Sequence, residues 1–205
     1  KQFLLSTLIL SFGLFFSTPL YKFTENNSSL NDDLKVMTYN VRMFNHYKWL
    51  DDPKIPEKIS AFVTEKVPDI ILFQEYYTLG KQVFPYPYKY VETVNKEKTF
   101  GLAIYSKFPI VNKGSLNLKD TNNNIIFVDI VRKKDTIRIY NLHLQSLELN
   151  TNKENFGQEN SEKLIARLKE RFKKQAEQTE VFTVHEKQWK GKEIVAGDFN
   201  NTSYS

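Results

Sequence analysis

From the order of its apolar segments, the chain is expected to fold as a mixed-sheet α+β or α/β sandwich. Three observations lead there. Of the 205 residues, 40% are hydrophobic and 26% charged, enough apolar surface to bury the core of one catalytic-size domain. Apolar runs of strand length recur along the chain, and two longer segments carry apolar residues at helical spacing. Between those two helices several strands follow one another with no helix between them, so antiparallel pairing is expected there.

Residues 1–23 are expected to form a transmembrane helix. The uncharged run over 2–21, flanked by Lys1 and Lys22, is about long enough to cross a hydrocarbon core of roughly 30 Å. A secretory signal peptide is the rival reading, since a Lys precedes the run and Ser17 and Thr18 are small; Pro19 would crowd the cleavage point, and the run is long for such a peptide. A buried helix is the third, disfavoured by so many uninterrupted large apolar residues. The polar stretch over 24–33 reads as a linker and 34–205 as the globular domain.

Within the domain, 35–41 reads as a strand. A helix follows over 55–67, with Ile55, Ile59, Phe62, Val63 and Val67 on one face and Pro53 and Pro56 at its start. A buried strand is expected over 69–73. Strand-like runs at 86–94, 101–105, 110–116, 125–131 and 136–142 are separated by Asn-rich or charged turns. A long amphipathic helix over 159–186 carries Leu164, Leu168, Phe172, Gln175, Thr179 and Phe182 as its inward stripe. Gln175 and Arg171 lie on or near that stripe. The last apolar strand begins at Ile194.

Four strands end in polar groups suited to chemistry. They deliver Asn40, Glu75, His143 and the Asp198-Phe199-Asn200 triplet. Each has an ordinary reading alone, as a turn residue, a solvated carboxylate or a hydrogen-bonded core histidine. Together they place ionisable and amide groups on rigid supports at a sheet rim, where α/β proteins bind ligands. The chain has no cysteine, which excludes disulfides, thiol catalysis and Cys-ligated zinc and leaves O and N donors for any metal. Its net charge of +5 is spread along the chain. That favours anionic substrates mildly and supplies no basic arm that would demand nucleic acid.

The segments Thr38-Tyr39-Asn40-Val41-Arg42, Phe73-Gln74-Glu75, the run from Gly101 to Ile110, Tyr140-Asn141-Leu142-His143 and Gly197-Asp198-Phe199-Asn200 resemble, in order, the motifs of the endonuclease/exonuclease/phosphatase superfamily. The resemblance implies a four-layer architecture, two mixed β-sheets flanked by helices. It implies metal-assisted hydrolysis of a phosphate ester with Mg²⁺, or Mn²⁺, as cofactor. Glu75 is then the carboxylate that holds the ion, and Asn40 a neutral oxygen ligand or its water-bridged helper. Asp198 orients or deprotonates the attacking water, Asn200 holds water and phosphate in line, and His143 hydrogen-bonds a phosphate oxygen. Arg42 and Asn141 become substrate-binding candidates, with a surface salt bridge as the equal alternative for Arg42. Tyr39 and Tyr140 are expected to pack in the sheet.

One part of the family pattern is missing. Beyond the Gly-Asp-x-Asn strand the family carries further strands and a segment like Ser-Asp-His, and neither His46 nor His185 matches its histidine. The expectation is a C-terminally incomplete domain, inactive or slow alone, since losing a proton-transfer partner removes about 10² to 10⁴ in rate. The leading reading is a membrane-anchored phosphohydrolase, its catalytic domain extracytoplasmic, acting on nucleic acid, a phospholipid headgroup or an inositol phosphate, with no obligate protein partner. A secreted protein is the alternative placement. A catalytically inactive membrane-tethered binding module is the alternative function. The loops over 45–53 and 146–158, with Tyr47, Trp49 and Phe156, are expected to flank the site and carry specificity.

Overall fold

The structure is a computed structural model that describes residue 6 and residues 33–94, 98–147 and 158–201, the side chains of 158–161 excepted. The chain divides into two units, Lys1–Leu34 and Lys35–Ser205. The expected membrane helix and most of the linker fall outside the described residues, as does most of the 146–158 loop. Among the described residues no helix is long and apolar enough to cross a membrane.

The second unit is built from β1 (Val36–Asn40), α1 (Ile55–Lys66), β2 (Ile70–Tyr77), β3 (Tyr88–Thr93), β4 (Phe100–Ser106), β5 (Ile110–Ser115), β6 (Asn124–Arg132), β7 (Asp135–His143), α2 (Gln158–Glu186) and β8 (Lys192–Asp198). One sheet has the order β1-β2-β4-β3 and the other β5-β6-β7-β8. The β1–β2 and β7–β8 pairs are parallel and the remaining pairs antiparallel. This is the mixed sandwich the segment order predicts.

Period-two alternation makes the layers. On β2 and β4, Ile71, Phe73, Ala103 and Tyr105 share a cluster with Ile59 and Val63 of α1. Ile70, Leu72, Leu102 and Ile104 point the other way and are equally buried, so they meet the second sheet. Across the second sheet, Ile125, Phe127, Tyr140 and Leu142 cluster with Phe182 of α2. The result is helix, sheet, sheet, helix. Both faces of the central strands are covered, and they therefore read as continuous apolar runs.

The inward stripe of α2 differs from the expected one. Gln175 and Gln178 are buried, while Phe172 is 46% exposed, and Thr179 is exposed too. The buried and half-buried positions include a run of Leu164, Leu168, Arg171, Gln175, Gln178, Phe182 and His185, alternating four-residue and three-residue steps. Taking Phe172 for its hydrophobicity broke that rhythm by one place.

Under the C-terminal end of α2, Arg138 makes a two-pronged ion pair with Asp129, Nε to Oδ1 at 2.7 Å and Nη2 to Oδ2 at 2.8 Å, and its guanidinium lies 4.0 Å from the Trp189 ring centre. His185 Nδ1 lies 3.0 Å from the Tyr140 hydroxyl. Burial, then the charge of Arg138, hold the His185 imidazole below its usual range. A depressed histidine is neutral in the fold, so its contribution to stability is present above about pH 6.5 and is lost as pH falls through the folded value. Thermal melting at pH 7.5 and 6.0 is expected to show a loss on acidification that shrinks in His185→Gln. Comparing parent and variant isolates this term from Glu193, whose carboxyl is pushed up by burial and by Glu186 and so acts with the opposite sign.

Candidate active site

Two parallel strand pairs bring the site residues to one rim. In the first pair Asn40 stands opposite Gln74; in the second, His143 stands opposite Asp198. Parallel strands finish on the same edge, so each pair presents both its polar ends together. A side-chain contact joins the pairs: Asn40 Nδ2 donates to Glu75 Oε1 at 3.0 Å and to Asp198 Oδ2 at 2.9 Å. One amide nitrogen thus holds carboxylates from two sheets. Asn40 Oδ1 accepts from the Arg42 backbone N–H at 3.0 Å. In this arrangement the amide nitrogen of Asn40 is the brace between the carboxylates, and its oxygen carries one hydrogen bond from the backbone.

Glu75 does not follow the end of its strand, as the sequence suggests, but lies inside β2 at a β-bulge. Phe73 pairs with Ala103 and Tyr76 with Gly101, leaving Gln74 and Glu75 opposite Leu102 alone. Simple alternation would send Glu75 after Ile71 and Phe73 into the aromatic cluster. The extra residue hands that place to Tyr76 and frees the carboxylate. Glu75 takes a left-handed φ of 50° to do so.

The chain leaving β1 turns sharply. Arg42, Met43, Phe44 and Asn45 all have positive φ, between 42° and 62°, a left-handed turn that costs roughly 1–2 kcal/mol per residue. Burial of Phe44, stacked edge-on to Tyr76 at 5.5 Å, offsets part of that cost. Asn45 fixes the exit by donating to Leu50 O at 2.8 Å and accepting from Leu50 N at 3.0 Å. Arg42 forms no salt bridge among the described residues; its guanidinium lies over the Trp49 ring at 4.9 Å.

Asp198 is preceded by Gly197 at φ 150°, where a Cβ would lie 2.1 Å from Leu142 O. Only glycine lets β8 come this close to β7 just before the carboxylate. Asp198 Oδ1 accepts from Asn200 N at 3.0 Å, and Asn200 Nδ2 donates to Leu144 O at 2.8 Å, so the Asp-x-Asn turn is bonded to the exit of β7. Gln175 and Gln178 of α2 hold the same exits. Gln175 Nε2 donates to Gln145 O at 3.2 Å and Phe199 O at 2.8 Å, and Gln178 Oε1 accepts from Gln145 N at 2.8 Å. The sequence places Gln175 near the rim but does not single out Gln178; the signal for it is a second glutamine three residues on, along the same helix face.

His143 and Glu75 line a cleft of about 430 Å³ whose wall includes Asn123, Arg171 and Lys174. Burial lowers the basicity of the His143 imidazole against the opposing charges of Asp198 and Glu75. It can therefore act at neutral pH as a neutral hydrogen-bonding group.

Asn141 corrects the sequence reading. It is fully buried, its Nδ2 donating to Phe73 O at 2.9 Å and Ala103 O at 3.1 Å, and its Oδ1 accepting from Gln74 Nε2 at 2.7 Å. Both N–H groups and the amide oxygen are engaged between the sheets, and the buried side chain does not line the cleft. The residue points inward because β7 alternates, and His143, two positions on, reaches the rim on the same face only where the strand ends.

Comparison with curated protein sequences finds no significant match. Among solved structures, a beta toxin variant from Staphylococcus aureus with bound magnesium ions superposes with a TM-score of 0.59 at 21% identity, over 84% of this chain and 67% of that one. TDP2 from D. rerio, complexed with single strand DNA product, gives 0.56 at 14% identity over 83% and 62%. TDP2 from C. elegans gives 0.56 at 18% identity over 83% and 49%. These likenesses establish the shared fold. The family model that matches residues 37–204 runs from within β1 to beyond β8, through every strand that delivers a site residue, and places this chain in the Endonuclease/Exonuclease/phosphatase family.

Proposed function

We propose that the chain is a divalent-metal-dependent phosphohydrolase that cleaves a phosphodiester, or a phosphomonoester, by in-line attack of water. The observation that carries this reading is the Asn40 amide nitrogen bonded to Glu75 and Asp198 at once. It joins Asp198, which stands in register beside His143, to Glu75, and Glu75 and His143 line a cleft bordered by Arg171 and Lys174.

The donor set fits a hard cation. Among the described residues no group of three or more His, Asp or Glu is placed to hold a metal, but Mg²⁺ uses one or two carboxylates and keeps water and substrate oxygens as its other ligands. Glu75 would hold Mg²⁺ or Mn²⁺, with Asn40 fixing the carboxylate. The bound ion supplies charge neutralisation and polarisation of a phosphoryl oxygen. The remaining work belongs to the chain. Asp198, held by Asn40 and by the Asn200 backbone N–H, orients a water and accepts its proton. Asn200 keeps that turn in place and positions the phosphate. His143 donates a hydrogen bond to a non-bridging phosphate oxygen.

The apolar run over 2–21 supports tethering to a membrane, with the catalytic unit on the extracytoplasmic side. Hydrolysis of bis(p-nitrophenyl) phosphate in Mg²⁺ is expected, abolished by excess EDTA while the far-UV circular dichroism stays as it was. Turnover that persists in EDTA would overturn the mechanism.

A further inference from the structure

A second hollow, of about 280 Å³, includes Asn40 in its lining and opens between the 45–50 segment and α1. Its base is Ile55 and Ile59, and its walls include Tyr39, Trp49 and Leu50. Large apolar groups stand open at its edge: Trp49 is 43% and Leu50 59% exposed, with Tyr47 beside Trp49 at 63%. Single exposed apolar side chains are ordinary, whereas a contiguous group of them beside a hollow marks a binding surface.

The charge around this hollow is one-sided. Two cations, Arg42 and Lys58, line it and no carboxylate does. Lys58 is paired with Asp52 at 2.6 Å, whereas Arg42 has no carboxylate in reach among the described residues and lies over the Trp49 ring. Arg42 also donates its backbone N–H to Asn40 Oδ1, the amide that braces the two catalytic carboxylates. The Trp49 ring, the guanidinium that lies over it and the amide that braces the carboxylates are therefore continuous in chain and in space.

From this we infer that the hollow is a ring-binding subsite: it takes a planar aromatic group carried by the phosphate ester, stacked on Trp49 with Arg42 facing the ester's negative charge. The subsite rests on the phosphohydrolase reading above and names its substrate class, an aromatic phosphoester such as a nucleotide or an aryl phosphate. The volume supports a ring over a lipid's pair of acyl chains, since pockets for drug-sized ligands start at about 300 Å³. Flat aromatic and guanidinium faces also suit a π-face better than a flexible chain.

The test is calorimetric titration of the whole chain in EDTA, so that binding is read apart from turnover. AMP and phenyl phosphate are expected to bind about tenfold more tightly than ribose 5-phosphate. Trp49→Ala should erase that advantage and leave ribose 5-phosphate affinity as it was, and Trp49→Phe should keep most of it. AMP separates from phenyl phosphate if the subsite is built for a base, and the two run together if any aryl group suffices. The inference is overturned if neither ring compound exceeds ribose 5-phosphate, if the advantage survives Trp49→Ala, or if phosphatidylcholine vesicles compete the ring compounds away from the parent chain but Trp49→Ala affects vesicle binding alone. A ring preference without any Mg²⁺-dependent turnover would sink the hydrolase reading and keep the subsite. Turnover without a ring preference would do the reverse.

Discussion

Asp198→Asn is expected to lower kcat for bis(p-nitrophenyl) phosphate in saturating Mg²⁺ by about 10² to 10⁴, the range for losing a positioned proton acceptor. The substitution is nearly isosteric, so the effect comes from charge and hydrogen-bond direction. Asp198 accepts on both oxygens, from Asn40 Nδ2 and from Asn200 N. An asparagine has one acceptor, and its NH₂ must face one of those donors, which also loosens the brace between the sheets. A melting curve beside the kinetics separates the two consequences: the fold is expected to survive with a modest fall in Tm, while the rate collapses. A variant as fast as the parent chain would remove Asp198 from the mechanism.

Asn141→Leu is expected to destabilise the domain by roughly 2–4 kcal/mol, measured by urea unfolding. The leucine fits the volume but removes three buried hydrogen bonds, taking a partner from the Phe73 and Ala103 carbonyls and one acceptor from the Gln74 amide, which keeps Thr38 Oγ1 and Leu72 O; each buried polar group that loses its partner costs about 1–3 kcal/mol. This outcome distinguishes the observed place of Asn141 from a place in the substrate cleft, where the same change would reduce activity and barely touch stability. A loss below about 1 kcal/mol, the range of ordinary surface substitutions, would contradict the buried geometry.

Much of the architecture was legible because it is written in local patterns. The strands at 36–40, 110–115 and 135–143 and the helix starting at Ile55 lie within a residue or so of where alternation and helical spacing put them, since burial on one or both faces imposes the period directly. The polar strand ends that mark the site were equally visible. Less visible was how the ends are used. Asn141 and His143 belong to one motif and differ by two residues, yet one is sealed between the sheets and the other lines the cleft. Nothing in residue type separates an asparagine that binds phosphate from one that bonds the backbone of a facing sheet.

The sequence by itself determined which groups are available and which strands carry them: Asn40, Glu75, His143, Asp198 and Asn200, oxygen and nitrogen donors with no thiol, on buried supports. The tertiary structure decided how they are placed. It set a bulge that turns Glu75 out of the aromatic cluster, a left-handed turn that lays Arg42 on Trp49, a glycine contact that brings β8 against β7, and a single amide of Asn40 spanning carboxylates 35 and 158 residues away along the chain. Those outcomes depend on long-range packing and register, which fix distances between strands distant in sequence, and local residue patterns carry no information about such distances.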